Sequence, residues 1–188
     1  MASSTTYSLL GYGRMITDRS RMGPYRLALR QAVRPGCLVV DIGAGTGIFS
    51  MLACQMGAGH VHAIEPDDTI LIAQAMAADN RYSERISFHQ ALSSRVTLPK
   101  LADVVVSDLR GVLPLMEHHI PAIIDARQRL LAPGGALIPL RDHLWAALVE
   151  DPERYHPYTE PWLSNDFDLD MHAGRHLAIN DWCKVHMQ

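Results

Sequence analysis

The chain has 188 residues, of which 48% are hydrophobic and 20% charged, and its formal net charge is −3. This length and composition predict one well-buried globular domain, and the lack of a basic excess argues against a general nucleic-acid binder. No apolar run approaches the ~20 residues of a membrane span, and the start MASSTTYSLL lacks the cationic and apolar regions of a signal peptide, so we expect neither.

Apolar runs alternate with helical patterns along most of the chain. Helices are predicted at 24–33, 48–56, 67–79 and 115–131. Strands are predicted at 37–42, 60–64, 86–89, 102–107 and 136–140, with further β character at 143–149. This α/β alternation predicts a Rossmann-like doubly wound parallel sheet of about five strands with helices on both faces. We expect this domain to span residues 1–150, and residues 151–188, which show no clear periodicity, to form an irregular C-terminal tail.

The three cysteines favour a reducing environment. Cys37, Cys54 and Cys183 are an odd number and are spread along the chain. The first two lie in apolar patterns, which are typical of reduced core residues rather than of disulfide or metal ligands. A cytoplasmic location fits this pattern.

A glycine-rich turn follows the first predicted strand. In open α/β sheets, ligands bind beyond the carboxyl ends of the strands, and a glycine turn lets a ligand approach the backbone and the following helix. Asp41 lies near the end of the strand, and the glycines have the spacing G-x-G-x-G, whereas a dinucleotide site has G-x-G-x-x-G. They are Gly43, Gly45 and Gly47. Glu65, at the end of the second strand, is placed to accept hydrogen bonds from two ribose hydroxyls.

This set, D-x-G-x-G-x-G with an acid after the second strand, resembles the class I S-adenosylmethionine-dependent methyltransferases. The resemblance implies S-adenosylmethionine as the ligand. The three glycines would pass its methionine part, and Glu65 would hold its ribose. Arg21 would pair with its carboxylate, and Leu92 and Ser93, after the third strand, would flank its adenine.

The loop after the fourth predicted strand indicates the methyl acceptor. Its sequence, SDLRGVLPLMEHH, is similar to the double-E loop of protein arginine methyltransferases, which reads roughly S-E-x-x-G-x-x-x-x-x-E. Four residues fall on that pattern with its spacing intact: Ser107, Asp108, Gly111 and Glu117. The stretches YGRMITDRSRMGPY and LLAPGGALIPLRDHLWAALVED also resemble this family. PWLSNDFDLDMHAGRHLAI resembles the start of its β-rich second domain, which would be cut short at residue 188.

The resemblance implies methylation of an arginine guanidinium held by Asp108 and Glu117. Removing a proton from guanidinium near pH 7 costs roughly 9 kcal/mol, because its pKa is ~13.8 and each unit is worth 1.36 kcal/mol. Two carboxylates can instead hold the cation and aim one nitrogen at the sulfonium methyl. A protein or peptide arginine is therefore the expected partner, and the resemblance also suggests a homodimer.

Departures from the family pattern keep other functions open. Asp108 is one methylene shorter than the glutamate it replaces, and Tyr12 stands where the family has a histidine. A small-molecule N- or O-methyltransferase and a cofactor-binding module without turnover are the alternatives. A dinucleotide oxidoreductase is more distant.

The histidines bear on these alternatives. His118 and His119 suggest a general base for a small-molecule hydroxyl or amine. The others, including His60, His62 and His89, show no metal-ligand spacing with cysteine or acid partners. We therefore predict no metal site, and expect these side chains to be exposed or partly buried.

Overall fold

The structure is a computed structural model that describes residues 8–110, 115 and 119–181. Contacts divide the chain into two compact units, Met1–Asp142 and His143–Gln188. The strands of the first unit are β1 (Leu38–Ile42), β2 (His60–Ile64), β3 (Ile86–His89), β4 (Ala102–Ser107) and β5 (Leu131–Ile138). Its helices are α1 (Leu9–Thr17), α2 (Arg19–Ala32), α3 (Ile48–Gln55), α4 (Thr69–Asp79) and α5 (His119–Arg129).

The five strands form one parallel sheet in the order β3-β2-β1-β4-β5. The predicted fold class is therefore confirmed. β1 is the central strand, with Asp41 opposite Ala63 of β2 on one side and opposite Val106 of β4 on the other. The order of the strands reverses at β1, so the carboxyl end of β1 lies at the switch point where ligands bind in such sheets.

Two apolar cores lie on opposite faces of the sheet because alternate residues of each strand point to opposite sides. In β1, Val39 belongs to the first core, together with Leu29 of α2 and Phe49 of α3. Val40 belongs to the second core, together with Ala126 of α5. Burial on both faces explains why the strands appear in the sequence as continuous apolar runs.

The N-terminal helices differ from the prediction. Residues 9–17, for which the sequence pattern is mixed and no element is predicted, form α1, which begins where the Ser8 side chain accepts a hydrogen bond from the Gly11 N–H at 3.2 Å. No residue of α1 is buried. Asp18 ends α1 and caps α2 by accepting from the Arg21 N–H at 3.2 Å, so α2 begins before the predicted residue 24.

The region around β5 also differs from the prediction. Residues 132–135, predicted to be a turn before the strand, lie within β5 as a bulge, because Ala102 pairs with Leu131 whereas Val104 pairs with Ala136. The predicted β character at 143–149 is wrong, since residues 141–150 are in neither helix nor strand. In this stretch Trp145 is 92% exposed.

The second unit begins at His143, before the predicted boundary at residue 151. Its described residues contain α6 (Pro152–Thr159), a 3₁₀ helix (Glu160–Trp162) and α7 (His172–Ala178). The tail thus has short helices where an irregular segment was expected. In the described ranges of both units, no helix is long and apolar enough to span a bilayer.

The packing of α2 gives a prediction about stability. Leu29 is fully buried in the first core, whereas Leu27 of the same helix is 57% exposed. Leu29→Ala should lower the free energy of unfolding by about 2–5 kcal/mol, because it leaves a cavity. Leu27→Ala should change it by about 0.5 kcal/mol or less. Urea unfolding followed by circular dichroism measures both, and equal losses would contradict this orientation of α2.

Candidate functional site

The glycine turn connects the carboxyl ends of β1 and β2. The backbone N–H groups of Gly43 and Ala44 donate to the Ile64 carbonyl at 2.8 and 3.1 Å. The three glycines of the turn have φ of +71°, +51° and +77°, in the left-handed region that favours glycine: Gly43, Gly45 and Gly47. Gly47 is also the N-cap of α3, so the turn leads directly into the positive end of a helix.

Two side chains lie against this turn. A Cβ added to Gly45 would be 2.6 Å from the ring of Tyr12 in α1, and one added to Gly43 would be 2.3 Å from the Leu109 side chain. Glycine is therefore favoured by the backbone conformation, and a larger residue would also displace one of these side chains. Two cavities in other parts of the described chain have volumes of about 390 and 1060 Å³. Neither is lined by the glycine turn, Glu65 or Asp108. Position and chemistry, rather than cavity size, mark this site.

Glu65 stabilises the turn from the end of β2. Its Oε2 accepts a hydrogen bond from the Gly45 N–H at 2.9 Å, and its Oε1 accepts one from the Asp67 N–H at 3.0 Å. The residue is buried, and burial raises the pKa of its carboxyl group. A carboxylate offers about four lone-pair positions, so two remain for further donors.

Asp41 is a fully buried acid below the turn. Its Oδ2 accepts a hydrogen bond from the Ser50 hydroxyl at 2.7 Å, while its Oδ1 has no partner in the described part of the chain. Burial raises the pKa of Asp41 to about 7, and the charges of Glu65 and Asp108 act in the same direction. A buried carboxylate oxygen without a donor is costly, so this position suits a ligand that brings a proton donor or a positive charge.

A second polar group lies at the carboxyl end of β4. Arg21 of α2 forms an ion pair with Asp108. The Tyr25 hydroxyl lies 3.0 Å from the Ser107 carbonyl oxygen and 3.1 Å from Asp108 Oδ1, so it donates to one of these acceptors. Burial, together with the charge of Asp108, raises the pKa of Tyr25, which keeps the hydroxyl protonated. The structure thus joins two residues to which the sequence assigned separate roles, Arg21 with the cofactor and Asp108 with the acceptor.

Three further residues extend this group. Arg110 donates to the Tyr25 hydroxyl at 3.1 Å and forms an ion pair with Asp142, which follows β5. His119, the first residue of α5, is buried, and its Nδ1 has no partner among the described residues. Burial lowers the pKa of His119, which favours a neutral imidazole. Arg110 and Asp142 belong to no recognised motif, and the sequence signal that could have found them is their position just beyond the ends of β4 and β5.

The remaining predicted site residues lie after β3 and in the loop after β4. Ser93 is buried in a short 3₁₀ helix, Ser93–Arg95, and its carbonyl accepts from Arg129 at 2.6 Å. Leu92, which precedes it, is 52% exposed. Glu117 lies outside the described residues. The adenine role of Leu92 and Ser93 and the acceptor role of Glu117 remain predictions.

Known proteins share both the sequence pattern and the fold. Residues 27–139 match the family model of the ribosomal protein L11 methyltransferase (PrmA). The probable protein arginine N-methyltransferase 6 of Arabidopsis thaliana is 34% identical over 166 residues, which cover 87% of this chain and 38% of that protein. The chain thus spans about two fifths of the length of that relative.

Two solved structures of protein arginine methyltransferases are similar to this one. The crystal structure of protein arginine methyltransferase 10 of Arabidopsis thaliana is 29% identical with a TM-score of 0.66, covering 70% of this chain and 38% of that one. The Trypanosoma brucei PRMT1 enzyme–prozyme complex with AdoHcy has a TM-score of 0.77 at 22% identity, covering 89% and 53%, and supports the fold alone.

The strand order, the glycine turn and the acid at the end of β2 define an S-adenosylmethionine-dependent methyltransferase domain. The chain belongs to the methyltransferase family that the PrmA model describes, and its sequence is most like those of protein arginine N-methyltransferases. The predicted family resemblance and the predicted cofactor class are confirmed.

The buried Asp41 should make stability depend on pH. An aspartate ionises near pH 3.9 in an unfolded chain, but Asp41 ionises at about pH 7 in the folded protein. Between these pH values the folded state binds more protons than the unfolded state. The contribution of Asp41 to the free energy of unfolding therefore falls as pH rises. Asp41→Asn removes this loss. From pH 4 to pH 7 the free energy of unfolding of the variant should therefore rise relative to that of the wild type. The rise should be roughly 4 kcal/mol at most, at 1.36 kcal/mol per pH unit.

Urea unfolding at a series of pH values tests this prediction. Asp79→Asn is the matched control, because Asp79 is an exposed residue at the end of α4. Its stability relative to the wild type should stay nearly constant over the same range. A constant difference between Asp41→Asn and the wild type would show that Asp41 does not titrate in the folded protein as described.

Proposed function

We propose that this protein transfers a methyl group from S-adenosylmethionine to a guanidinium nitrogen of a protein or peptide arginine. The observation that carries the proposal is the ion pair between Asp108 and Arg21. In this pair Asp108 already binds a guanidinium group at the carboxyl end of β4. Asp108 lies on the acceptor loop of the arginine methyltransferase pattern. The relatives named as protein arginine N-methyltransferases support the same acceptor.

The residues around the glycine turn fit the cofactor. The unpartnered Oδ1 of Asp41, the glycine backbone at the start of α3 and the two remaining lone pairs of Glu65 can receive a cationic nucleoside with ribose hydroxyls. We assign the ribose to Glu65, the adenine to Leu92 and Ser93, and the cofactor carboxylate to Arg21. Bound S-adenosylmethionine supplies a methyl group on a positively charged sulfur. The methyl carbon can be attacked by a nucleophile without further activation.

Asp108 can act on the acceptor while it remains in contact with Arg21. Its Oδ2 contacts Arg21 and its Oδ1 faces the Tyr25 hydroxyl, which leaves lone pairs for a second guanidinium group. The acceptor can stay protonated until attack, since early removal of the proton would cost roughly 9 kcal/mol. The Asp108 carboxylate would take the proton that the nitrogen loses when the methyl group is transferred, the carbon–sulfur bond breaks and S-adenosylhomocysteine is released. Glu117, the second acid of the loop pattern, would share the acceptor.

His119 favours a second candidate function, methylation of a small-molecule hydroxyl or amine. Its imidazole is buried near Asp108, Arg110 and Asp142, and its lowered pKa makes it a neutral base at pH 7. A third candidate, a cofactor-binding module without turnover, becomes one outcome of the experiments below.

A cytoplasmic location and a homodimer complete the proposal. Cys37 and Cys54 are buried and free, which suits a reducing compartment. The Trypanosoma brucei complex with the same fold is a heterotetramer, which supports association of domains of this kind.

The role of Glu65 predicts the effect of a conservative substitution. Glu65→Gln should weaken S-adenosylhomocysteine binding by ten-fold or more, because hydrogen bonds to a charged acceptor are worth ~1.5–3 kcal/mol. Isothermal titration calorimetry measures the affinity, and Glu84→Gln, which changes an exposed glutamate, should leave it unchanged. An analogue without ribose hydroxyls should bind the wild type and Glu65→Gln equally. Should the analogue also bind Glu65→Gln more weakly, Glu65 would act only by holding the glycine turn.

The acceptor can be identified with labelled S-adenosylmethionine. The wild type should label an arginine peptide to give methylarginine. Asp108→Asn should reduce this rate by at least ten-fold through loss of the carboxylate, while His119→Asn should have a much smaller effect. Labelling only of small amines or hydroxyl compounds, with the larger loss in His119→Asn, would instead establish the second candidate. Tight cofactor binding without any labelling would identify a binding module.

A further inference from the structure

Three histidines form a row on one face of the sheet, over β2 and β3. His60 and His62 are two residues apart in β2 and so point to the same face. In the pairing of β2 with β3, Ile64 lies opposite His89, which places His89 on this face as well. The row belongs to neither polar group described above. The expectation that these histidines are exposed or partly buried is wrong for His62, which is 7% exposed.

Two nitrogen atoms of this row face each other. His62 Nδ1 lies 2.9 Å from His89 Nε2, and the two ring centroids are 5.1 Å apart. Metal–imidazole bonds are about 2.0–2.1 Å long. If one ion were bonded to both atoms, the N–metal–N angle would therefore be about 90°. A tetrahedral zinc site would need a wider angle. An angle near 90° suits the square-planar and tetragonal geometries of Cu²⁺ and Ni²⁺, for which imidazole is a preferred ligand.

The charge state of the pair also suits a metal ion. Burial, together with the neighbouring His89 and His60, lowers the pKa of His62 to about 4. Burial and His60 likewise lower the pKa of His89. Both rings are therefore neutral at pH 7, as metal ligands must be. Whichever ring now carries the hydrogen between the two nitrogens can hold it on its other nitrogen, so binding needs no net loss of a proton.

The row is buried at His62 and partly exposed at its other two members. On this face α5 packs against β4 and β5, and His60 and His89 are only half-buried. His60 Nε2 is engaged by the Ser87 hydroxyl at 2.8 Å, so His60 does not take part in the pair. Within the described residues, no three His, Cys, Asp or Glu side chains are already arranged around a metal position. Water must therefore fill the other coordination positions.

We propose that His62 Nδ1 and His89 Nε2 chelate a divalent copper or nickel ion on the outer face of β2 and β3. The site is independent of the acceptor and of the proposed methyl transfer. Sequence spacing hides it, because the two ligands lie 27 residues apart and only the pairing of β2 with β3 brings them together.

Calorimetric titration of the tag-free 188-residue protein with Ni²⁺ tests the proposal. The wild type should bind one equivalent, more tightly than it binds Zn²⁺, and His89→Gln should weaken Ni²⁺ binding by at least ten-fold. His60→Gln is the matched control within the row and should keep the affinity. A thermal melt of each variant establishes that it is folded, and His62→Gln provides a second variant with the same expected loss.

A competing chelate must be tested in parallel. His172 and His176 of α7 are exposed and lie one helical turn apart, so they are replaced together by glutamine. Binding that survives this double substitution and is lost in His89→Gln supports the proposal. The proposal is overturned if binding is lost only in the double substitution. It is also overturned if His60→Gln weakens binding as much as His89→Gln does. Absence of Ni²⁺ binding in the wild type would show that the His62–His89 contact is a hydrogen bond only.

Discussion

The hydrogen bond from the Gly45 N–H to Glu65 connects the two halves of the cofactor site. Together with the bonds from Gly43 and Ala44 to the Ile64 carbonyl, it joins the glycine turn after β1 to the acid after β2. Because the bond is buried and its acceptor is charged, it fixes the turn more firmly than a neutral bond would. The left-handed glycines and the close approach of Tyr12 both depend on this position of the turn. The remaining lone pairs of Glu65 are consequently held at a defined place, where we propose that the ribose binds.

In the polar group at the carboxyl end of β4, several ionised residues lie close together because their charges alternate in sign. Arg21, Asp108, Arg110 and Asp142 alternate in sign, with the Tyr25 hydroxyl between the two pairs. Partly buried charges are costly unless they are paired, so each member depends on its neighbours. Removing Asp108 therefore affects Arg21 as well as any acceptor. This coupling is the reason that a loss of labelling in Asp108→Asn must be compared with the cofactor affinity of the same variant.

The sequence predicts the parts of this protein that depend on local pattern. The bounds of β2, β3 and β4 agree with the prediction because each is a short buried run flanked by polar or turn residues. α1 is not predictable in this way, since none of its residues is buried. The bulge in β5 looks like a turn locally and is recognisable only from the pairing with β4. Glu65 and the glycines follow from spacing, but the contact between Arg21 and Asp108 joins residues 87 positions apart and required the fold.

The contact between Arg21 and Asp108 also bears on the replacement of glutamate by aspartate in the acceptor loop. A shorter side chain keeps its carboxylate closer to the end of β4, where α2 brings Arg21 and Tyr25 to it. Under the proposed function, an acceptor guanidinium would share the Asp108 carboxylate with Arg21 and Tyr25, which already contact it. Such an acceptor would gain less from Asp108 than from an acid without other partners, because the lone pairs of a carboxylate are limited in number.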